Sequence, residues 1–436
     1  MRPQANRGAA EVIELRLERL ISGGAALGFH AGKATFVPKA LPGERIRARL
    51  VESHASYARA ELLEILEPSP LRRAARCPYF QRCGGCDWQM LGYPEQLEAK
   101  RLLLRDALRR FGGIDLEGRC SLVPAAAEWS YRDRIQLHVE RSGAIGFFGP
   151  RSHRVVDIER CAVASPAVAQ ALTALRDALA QQPLTAAGLG RIDIEAGDRG
   201  PARVALHPRP RSRLRRGQVD ALLQRLLANQ AIAGVSVGGG PRRGDLWLQR
   251  TIDGSPLRWA AGGFAQASGA GNRRLVELVL GALAPLEGHA LLELHAGHGN
   301  FTLALARRAR SVVAIESGRA AEDARANVEA AGRSNVVIRR QPARAALQDL
   351  LAEGRDFSRV LLDPTRSGAR ELVEPLCRLG AARLVYVACD APALARDLRG
   401  LIAGGYALER LTLLDLFPQT AHFETIAVLN RAASGL

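Results

Sequence analysis

Strands and helices alternate at short intervals from Gly262 to the end of the chain, and this alternation limits the possible folds more than any other feature. Short apolar runs rich in strand formers are followed by stretches of helix-forming residues. The predicted strands are Ala290–Leu294, Val312–Glu316, Val336–Arg339, Arg359–Asp363, Arg383–Ala388 and Thr425–Asn430, and the predicted helices are Gly271–Ala284, Phe301–Arg308 and Ala320–Ala331. This order predicts a doubly wound α/β domain with a mainly parallel sheet.

One cysteine of this region, Cys389, lies in the stretch LVYVACDAPALARD, where a predicted buried strand runs straight into a predicted helix. Ligands of open α/β sheets bind just outside the carboxyl ends of the strands. A cysteine at that position is therefore a candidate nucleophile. Free cysteine is also commonly buried, so an inert core thiol is the alternative interpretation.

The first strand of the domain ends at a G-x-G pattern, formed by Gly297 and Gly299, which lets a cofactor lie close to the backbone. The next strand ends in Glu316, and an acid there can bind both hydroxyls of a ribose. The third glycine of a dinucleotide fingerprint is missing from this sequence. The pattern therefore favours S-adenosylmethionine over NAD.

Two further strands bring carboxylates to the region of Cys389. Asp363 ends one strand, with Arg366 shortly after it, and Glu424 begins the last strand. Asp363 could hydrogen-bond a flat heterocycle, the Cys389 thiolate could attack one of its carbons, and Glu424 could act as a general base. The alternatives are a capped strand end for Asp363 and a surface charge for Glu424.

The seven cysteines do not indicate a disulfide framework, because their number is odd and no secretory signal is evident. Cys77, Cys83 and Cys86 instead cluster in CPYFQRCGGC, where two glycines allow the backbone to fold around a bound group. Cys161 is the nearest plausible fourth ligand, and Cys120 competes with it. Either a structural zinc or an iron-sulfur cluster would use such a set.

The amino-terminal part of the chain has a different pattern. Short β segments separated by glycine- and proline-containing turns over residues 12–66 predict a small five-stranded, OB-like barrel. Basic residues in it are candidates for phosphate contacts, namely Lys33, Lys39, Arg45 and Arg47. Residues 1–10 are predicted to be a disordered start, and the part between the barrel and the α/β region is predicted to be α+β.

The net charge of +17 comes almost entirely from arginine. A surplus of this size favours a polyanionic partner, and nucleic acid is the natural candidate, although a merely solubilising surface is the alternative. No secretory signal or membrane-spanning apolar run is evident in the sequence, which favours a cytoplasmic protein.

Motifs over nearly the whole length resemble those of the RNA uracil-5-methyltransferase family, in particular its ribosomal branch with a TRAM domain and a [4Fe-4S] cluster. The matching motifs are CPYFQRCGGC, GGFAQ, GHGNFTLALA, LLDPTRSGA, VYVACDAPALARDL and FPQTAHFE. The resemblance implies a TRAM RNA-binding barrel at 10–68, a central α+β iron-sulfur domain at 69–260 and a Rossmann-like, S-adenosylmethionine-dependent methyltransferase domain at 261–436.

The resemblance also implies roles for individual residues. Cys389 matches the nucleophile and Glu424 the base. The cluster ligands match Cys77, Cys83, Cys86 and Cys161, and the cofactor-binding positions match Gln266, His295, Asn300, Glu316 and Asp363. The sequence departs from the family pattern at His295, Thr365 and Asp390, three positions near these sites.

The implied reaction forms 5-methyluridine: Cys389 adds to uracil C6, C5 takes the methyl group, and Glu424 removes the C5 proton so that the cysteine can leave. The expected partner is structured RNA, above all 23S ribosomal RNA, with neither DNA nor a membrane, and the expected state is a monomer. The alternatives are a transfer RNA substrate and a non-catalytic, cluster-bearing RNA-binding protein.

Overall fold

The structure is a computed structural model that describes residues 11–432 except 117 and 213, so the predicted disordered start lies outside the described residues. The strands are β1 (Val12–Leu20), β2 (Ala26–His30), β3 (Lys33–Val37), β4 (Arg45–Ser53), β5 (Tyr57–Glu67), β6 (Cys120–Val123), β7 (Arg134–Val139), β8 (Ile145–Phe148), β9 (Val155–Asp157), β10 (Leu189–Glu195), β11 (Ala202–Pro208), β12 (Ile232–Val237), β13 (Arg242–Gly244), β14 (Trp247–Ile252), β15 (Ser255–Ala260), β16 (Ala290–Leu294), β17 (Ser311–Glu316), β18 (Val336–Arg340), β19 (Arg359–Leu362), β20 (Arg383–Ala388), β21 (Tyr406–Leu414) and β22 (Glu424–Arg431).

The helices are α1 (Tyr93–Ala107), α2 (Pro166–Ala180), α3 (Pro183–Gly188), α4 (Arg216–Leu227), α5 (Gly269–Leu283), α6 (Thr302–Ala306), α7 (Ala320–Ala330), α8 (Ala343–Ala352), α9 (Val373–Leu379) and α10 (Ala391–Ala403). A π-helical turn at Leu108–Gly112 follows α1, and a 3₁₀ turn at Arg370–Leu372 precedes α9. Within the described part of the chain, no helix is both long and apolar enough to cross a bilayer.

The chain divides into two compact units. The first contains the described residues up to Leu103 together with Gly146–Ile158 and Phe417–His422. The second contains Leu104–Ile145, Glu159–Leu416 and the described residues from Phe423 onward. The boundaries of the three predicted domains stay a prediction.

The first unit contains a closed barrel with strand order β1-β2-β3-β5-β4, so the predicted five-stranded barrel is confirmed. Its strands alternate between buried and exposed residues, as Ile13, Leu15 and Leu17 of β1 do. This period of two is expected when one face of each strand packs into a barrel core.

All four basic residues predicted to contact phosphate make contacts within the first unit, where Lys33 donates to a serine hydroxyl of β4 at 3.4 Å, and the phosphate contacts stay a prediction. Lys39 is buried, and its ammonium group donates to the carbonyl of Cys86. Arg45 and Arg47 form ion pairs with glutamates on neighbouring strands. The sequence showed the charges of these side chains but not the acids that the barrel register places opposite them.

Glu44 is the charged residue that fixes the end of the barrel to the segment after it. Its side chain is fully buried, and its carboxylate accepts hydrogen bonds from Leu41 N at 2.8 Å and Ser69 N at 3.3 Å. The Arg72 guanidinium completes the set with a bidentate pair, of which one contact is 2.9 Å long. A buried charge is tolerated only when it is paired and hydrogen-bonded in this way.

The second unit contains five neighbouring strands of a mixed sheet, in the order β13-β12-β11-β10-β7, and a separate hairpin formed by β14 and β15. Helices α2 and α4 present buried apolar faces that include Leu172, Leu175, Leu222 and Leu226. This arrangement agrees with the α+β prediction for the middle of the chain.

The second unit also holds an eight-stranded sheet with the order β18-β17-β16-β19-β20-β22-β21-β6. Strands β16 to β20 are parallel, whereas β22 is antiparallel to both β20 and β21. The chain moves outward from β16 in opposite directions, to β17 on one side and β19 on the other. This point is a topological switch point, where open α/β sheets bind ligands. The predicted doubly wound, mainly parallel sheet is confirmed.

We expect Glu44→Gln to loosen the barrel, because the new amide nitrogen would face donors that now point at a carboxylate. Removing one partner of a buried pair should lower the local free energy of unfolding by about 2–4 kcal/mol. Hydrogen exchange of the barrel amides measures this change.

Glu64→Gln is the matched control, because Glu64 pairs with Arg47 on the exposed side of the same barrel. Exposed ion pairs contribute little to stability, so its amide protection should stay close to that of the parent protein. Equal protection in both variants would contradict the role given to Glu44.

Candidate active site

The candidate site lies at the edge of the eight-stranded sheet where the parallel strands end. Glu316 ends β17, and Asp363 and Cys389 directly follow β19 and β20. Because β22 runs in the opposite direction, its first residue, Glu424, lies at this same edge. The sheet order therefore brings together residues that are up to 108 positions apart, the separation between Glu316 and Glu424.

Cys389 occupies the turn between β20 and α10, as its sequence context predicted. The strand before it is buried, whereas Cys389 itself is half-buried. Helix α10 begins immediately after the turn, where Asp390 Oδ1 accepts a hydrogen bond from Ala393 N at 2.9 Å. Asp390 is therefore an N-cap residue, which fixes the backbone next to the thiol.

Glu424 is placed beside Cys389 by strand register. Ala388 of β20 pairs with Thr425 of β22, so the next residues outward on the two antiparallel strands are Cys389 and Glu424. Opposite residues of an antiparallel pair present their side chains on the same face of the sheet. Glu424 is 4% exposed, so its carboxylate is removed from water next to the thiol.

Burial and neighbouring charge raise both pKa values. Burial raises the pKa of the Cys389 thiol to about 11, with the Glu424 carboxylate as the next cause. Burial also raises the pKa of Glu424 well above its usual range, and the Asp363 carboxylate adds to this shift. The Arg366 guanidinium acts in the opposite sense on both groups. The four side chains thus form one electrostatic cluster.

Asp363 follows β19, the strand that lies between β20 and β16 in the sheet. Burial raises its pKa to about 7, so near neutral pH its carboxyl group can either donate or accept a hydrogen bond. Its negative charge raises the pKa values of Cys389 and Glu424 on one side and of Glu293 in β16 on the other. Asp363 is therefore close enough to interact electrostatically with Glu293 as well as with Cys389 and Glu424.

Asp397 of α10 holds the loop that contains Arg366 in place through hydrogen bonds. Asp397 Oδ2 accepts hydrogen bonds from Ala369 N at 2.6 Å and from the Tyr386 hydroxyl at 2.8 Å. Its Oδ1 accepts from Arg396 Nε at 2.8 Å. The two contacts of Oδ2 are buried and connect β20, α10 and the loop, so they hold the loop close to the turn that contains Cys389.

The glycine loop after β16 is shaped by positive φ angles and by Glu316. His295, Gly297 and Gly299 have φ values of 63°, 58° and 95°. Glu316 Oε2 accepts from Gly297 N at 3.0 Å, and Oε1 accepts from Gly318 N at 2.6 Å. A carboxylate oxygen has further lone pairs, so both oxygens can still accept hydrogen bonds from a ribose.

The other predicted cofactor residues have defined surroundings. Burial lowers the pKa of His295, and the Glu316 carboxylate opposes this shift. Asn300 exchanges hydrogen bonds of 2.7 and 2.9 Å with the amide of Asn272 in α5. Gln266 lies in the segment between β15 and α5, where its carbonyl accepts from Arg250 at 2.7 Å.

Glu293 is a candidate residue that the sequence prediction missed. It is 1% exposed in β16, and burial raises its pKa to about 8. Thr302 donates to Oε2 at 2.6 Å, whereas the buried Oε1 has no hydrogen-bond partner among the described residues. The sequence signal that could have identified this residue is an acid inside the apolar run ALLEL, shortly before the G-x-G pattern. An unpartnered buried oxygen at a switch point is suited to a ligand's polar group.

The predicted cluster cysteines fall in both units. Cys77, Cys83 and Cys86 belong to the first, where Gly85 N donates to Cys83 Sγ at 3.3 Å, and Cys161 belongs to the second. Among the described residues, no group of three or more His, Cys, Asp or Glu side chains is arranged to hold a metal ion. The iron-sulfur ligation therefore stays a prediction.

We compared the amino-acid sequence with those of known proteins. The model of the family described as tRNA (Uracil-5-)-methyltransferase matches residues 255–432. The chain is 35% identical to 23S rRNA (uracil(1939)-C(5))-methyltransferase RlmD of Pseudomonas putida, over 95% of this chain and 93% of that protein. It is 36% identical to an uncharacterized RNA methyltransferase of Streptomyces avermitilis, over 93% of this chain and 94% of that protein.

Among solved structures, the fold is similar to that of Pyrococcus abyssi tRNA (uracil-54, C5)-methyltransferase in complex with S-adenosyl-L-homocysteine. The TM-score is 0.72 at 23% sequence identity, over 95% of this chain and 100% of that chain. The similarity supports the Rossmann-like fold of the carboxyl-terminal region.

The charges around Cys389 predict how its alkylation depends on pH. Because thiolate is the reactive form, a pKa of about 11 should make Cys389 react more slowly with iodoacetamide at pH 8–9 than an ordinary thiol. Glu424→Gln removes a neighbouring negative charge, so the pKa should fall and alkylation should become faster. Each unit of fall raises the thiolate fraction about tenfold.

Arg366→Gln should have the opposite effect, because it removes the positive charge that favours the thiolate. Glu374→Gln, at an exposed glutamate of α9 that pairs with Arg378, is the control and should leave the rate unchanged. Mass spectrometry of the peptide containing Cys389 separates its reaction from that of the other cysteines. Identical pH profiles in all three variants would rule out the electrostatic cluster.

Proposed function

Since the chain belongs to the family of RNA uracil-5-methyltransferases, as its motifs predicted, we propose that it transfers the methyl group of S-adenosylmethionine to C5 of a uridine in 23S ribosomal RNA. The observation that carries the proposal is the apposition of a thiol and a buried carboxylate, Cys389 and Glu424, at the switch-point edge of the sheet. Several relatives that are similar over nearly their full length are named as enzymes that modify this RNA.

Cys389 acts as the nucleophile in this proposal. C5 of uracil is a weak nucleophile until a group adds to C6, and addition of the Cys389 sulfur to C6 moves electron density to C5 and O4. C5 then takes the methyl group, and S-adenosylhomocysteine would leave as the other product. Burial raises the pKa of the Cys389 thiol and so disfavours the reactive thiolate. The positive charge of Arg366 opposes this effect and favours the thiolate.

Glu424 acts as the base that removes the proton from C5 after methyl transfer. The C5–H electrons then form the C5=C6 double bond, and the Cys389 sulfur leaves C6. Burial raises the pKa of Glu424, which makes its carboxylate a stronger base than an exposed glutamate. Its place beside the sulfur allows the two groups to act on adjacent carbons of the same ring.

S-adenosylmethionine supplies the methyl group when it is bound, and the residues at this edge fit such a ligand. The backbone of the glycine loop allows close approach, Glu316 has lone pairs for ribose hydroxyls, and Glu293 Oε1 offers a buried acceptor or donor. We assign Gln266, His295, Asn300, Glu316 and Asp363 to the cofactor, and Glu293 joins this set on the geometry described above.

Transfer RNA is the second candidate substrate, because the matching family model is described by activity on tRNA. Methylation assays with transcripts of 23S ribosomal RNA fragments and of tRNA, followed by mass-spectrometric mapping of 5-methyluridine, distinguish the two. The proposal requires product in the ribosomal fragment.

A [4Fe-4S] cluster held by Cys77, Cys83, Cys86 and Cys161 is also part of the proposal. Four cysteine thiolates are the usual ligand set of such a cluster, and the amide that donates to Cys83 Sγ is the kind of contact that tunes cluster sulfurs. The assignment rests on the sequence resemblance and on this donor chemistry. Zinc is the alternative occupant of the same residues.

We expect Cys389→Ala to abolish methyl transfer and to leave RNA binding intact, because the side chain supplies a bond to substrate and little binding surface. Glu424→Gln should accumulate a covalent RNA adduct, since the methylated intermediate cannot lose its C5 proton. Tritium transfer from labelled S-adenosylmethionine and a denaturing gel measure the two outcomes.

Cys377→Ala is the matched control, because Cys377 is also a half-buried thiol of the second unit but lies in α9. Its turnover should equal that of the parent protein. Undiminished turnover of Cys389→Ala would overturn the proposed mechanism, and a decayed, non-catalytic RNA-binding protein would instead show no turnover in any form of the chain.

For the cluster, Cys161→Ser should lower the iron and sulfide content and the melting temperature, because a structural cluster contributes directly to folding. Cys120→Ser is the control, since Cys120 was the competing candidate for the fourth ligand. Elemental analysis of both variants separates iron from zinc. Full iron content in Cys161→Ser together with loss in Cys120→Ser would exchange the two assignments.

A further inference from the structure

The hairpin formed by β14 and β15 has one buried face and one exposed face. Leu248, Ile252, Leu257 and Trp259 are buried and anchor it in the second unit. The opposite face exposes Trp247, Gln249, Thr251 and Arg258, and Trp247 is 44% exposed. Gln249 pairs with Arg258 across the hairpin, and the Arg258 guanidinium lies 5.5 Å from the centre of the Trp247 ring.

The exposed face borders a groove of about 880 Å³, which is large enough for one or two nucleotides. The loop that contains Arg199 forms another wall, and helix α5 contributes Arg273. The groove is thus lined by an aromatic ring, by arginines and by the polar side chains of β14.

The aspartates of the groove are already engaged by arginines. Asp198 pairs with Arg273 at 2.9 Å, Asp245 pairs with Arg203, and Asp253 pairs with Arg307 and Arg308. Arg199 and Arg258 make no ion pair with any described residue. The groove therefore keeps a surplus of positive charge next to an exposed tryptophan.

The hairpin is also firmly connected to the candidate active site. Asn327 of α7 accepts from Arg258 N at 2.9 Å and donates to Arg258 O at 2.7 Å. The same side-chain amide donates to His298 O of the glycine loop at 3.0 Å. Arg250 of β14 donates to the carbonyl of Gln266. These contacts fix the hairpin, which forms one wall of the groove, relative to the residues assigned to methyl transfer.

We propose that this groove binds a single-stranded segment of the RNA substrate, with one base stacked on Trp247 and with Arg199 and Arg258 contacting its phosphates. The proposal rests on the proposed function and adds a binding subsite to it. Aromatic stacking combined with arginine contacts is the general mode of single-strand binding, and it needs no particular base sequence.

Trp247→Ala tests the stacking, measured in the Cys389→Ala background so that binding is read without turnover. The affinity for a 23S ribosomal RNA fragment with a single-stranded flank should fall roughly ten- to hundredfold, the loss expected for one stacked base. Trp247→Phe keeps a flat ring and should lose much less. A fragment trimmed of its flank should bind the parent and Trp247→Ala equally.

Arg199→Gln and Arg258→Gln test the phosphate contacts. Each should reduce the slope of the logarithm of affinity against that of salt concentration by about one, and Arg344→Gln, at an exposed arginine of α8, should not. Calorimetry with S-adenosylmethionine should give parent-like affinity for every variant, which shows that the fold is intact.

Unchanged affinity of Trp247→Ala for the flanked fragment would overturn the inference, and so would an equal loss on the flanked and trimmed fragments. Altered salt slopes without an effect of Trp247 would show a general polyanion surface and would also overturn it. These outcomes concern binding alone. Failure of the proposed function would instead appear as absence of methyl transfer in the parent protein.

Discussion

The antiparallel pairing of β22 with β20 is the interaction on which the candidate site depends. In a fully parallel sheet, the first residue of β22 would lie at the edge opposite to Cys389. Reversal of this single strand places Glu424 directly beside the thiol. The register must also be kept, because a shift by one residue would turn the carboxylate to the other face of the sheet. The buried ladder between the two strands fixes both direction and register.

The same sheet edge concentrates negative charge in a place with little water. Glu293, Asp363 and Glu424 all have raised pKa values because burial disfavours their charged forms, and the Asp363 carboxylate adds to the shifts of Glu293 and Glu424. The stability of the fold therefore falls as the pH rises above the ordinary carboxyl pKa of about 4, because the folded protein still holds protons that the unfolded chain has already released. Such an arrangement is typical of functional sites, where pKa values near neutrality serve proton transfer and ligand binding.

Prediction from sequence succeeded where the signal is local. The bounds Ala290–Leu294 and Arg383–Ala388 agree with the observed strands, and the turn at Cys389 was evident from the change of period. Strand β21 was missed because two charged residues, Glu409 and Arg410, interrupt its apolar pattern. Glu293 was missed because a single acidic residue does not change the apolar pattern from which a buried strand is predicted. Asn300 is hydrogen-bonded by Asn272, and arginines near the groove pair with aspartates. These partners lie in other segments of the chain, so no local sequence pattern predicts them.

The kind of fold and the residues at strand ends could be inferred from the amino-acid sequence, because side-chain periodicity and turn chemistry act over a few neighbouring positions. Only the folded protein shows which strand ends lie together, which carboxylates are buried, and which arginines form ion pairs. These properties depend on strand order and burial, and both are set by contacts between residues far apart in the chain. Cys389 was therefore recognisable from its own surroundings, whereas its high pKa and its pairing with Glu424 required the assembled sheet.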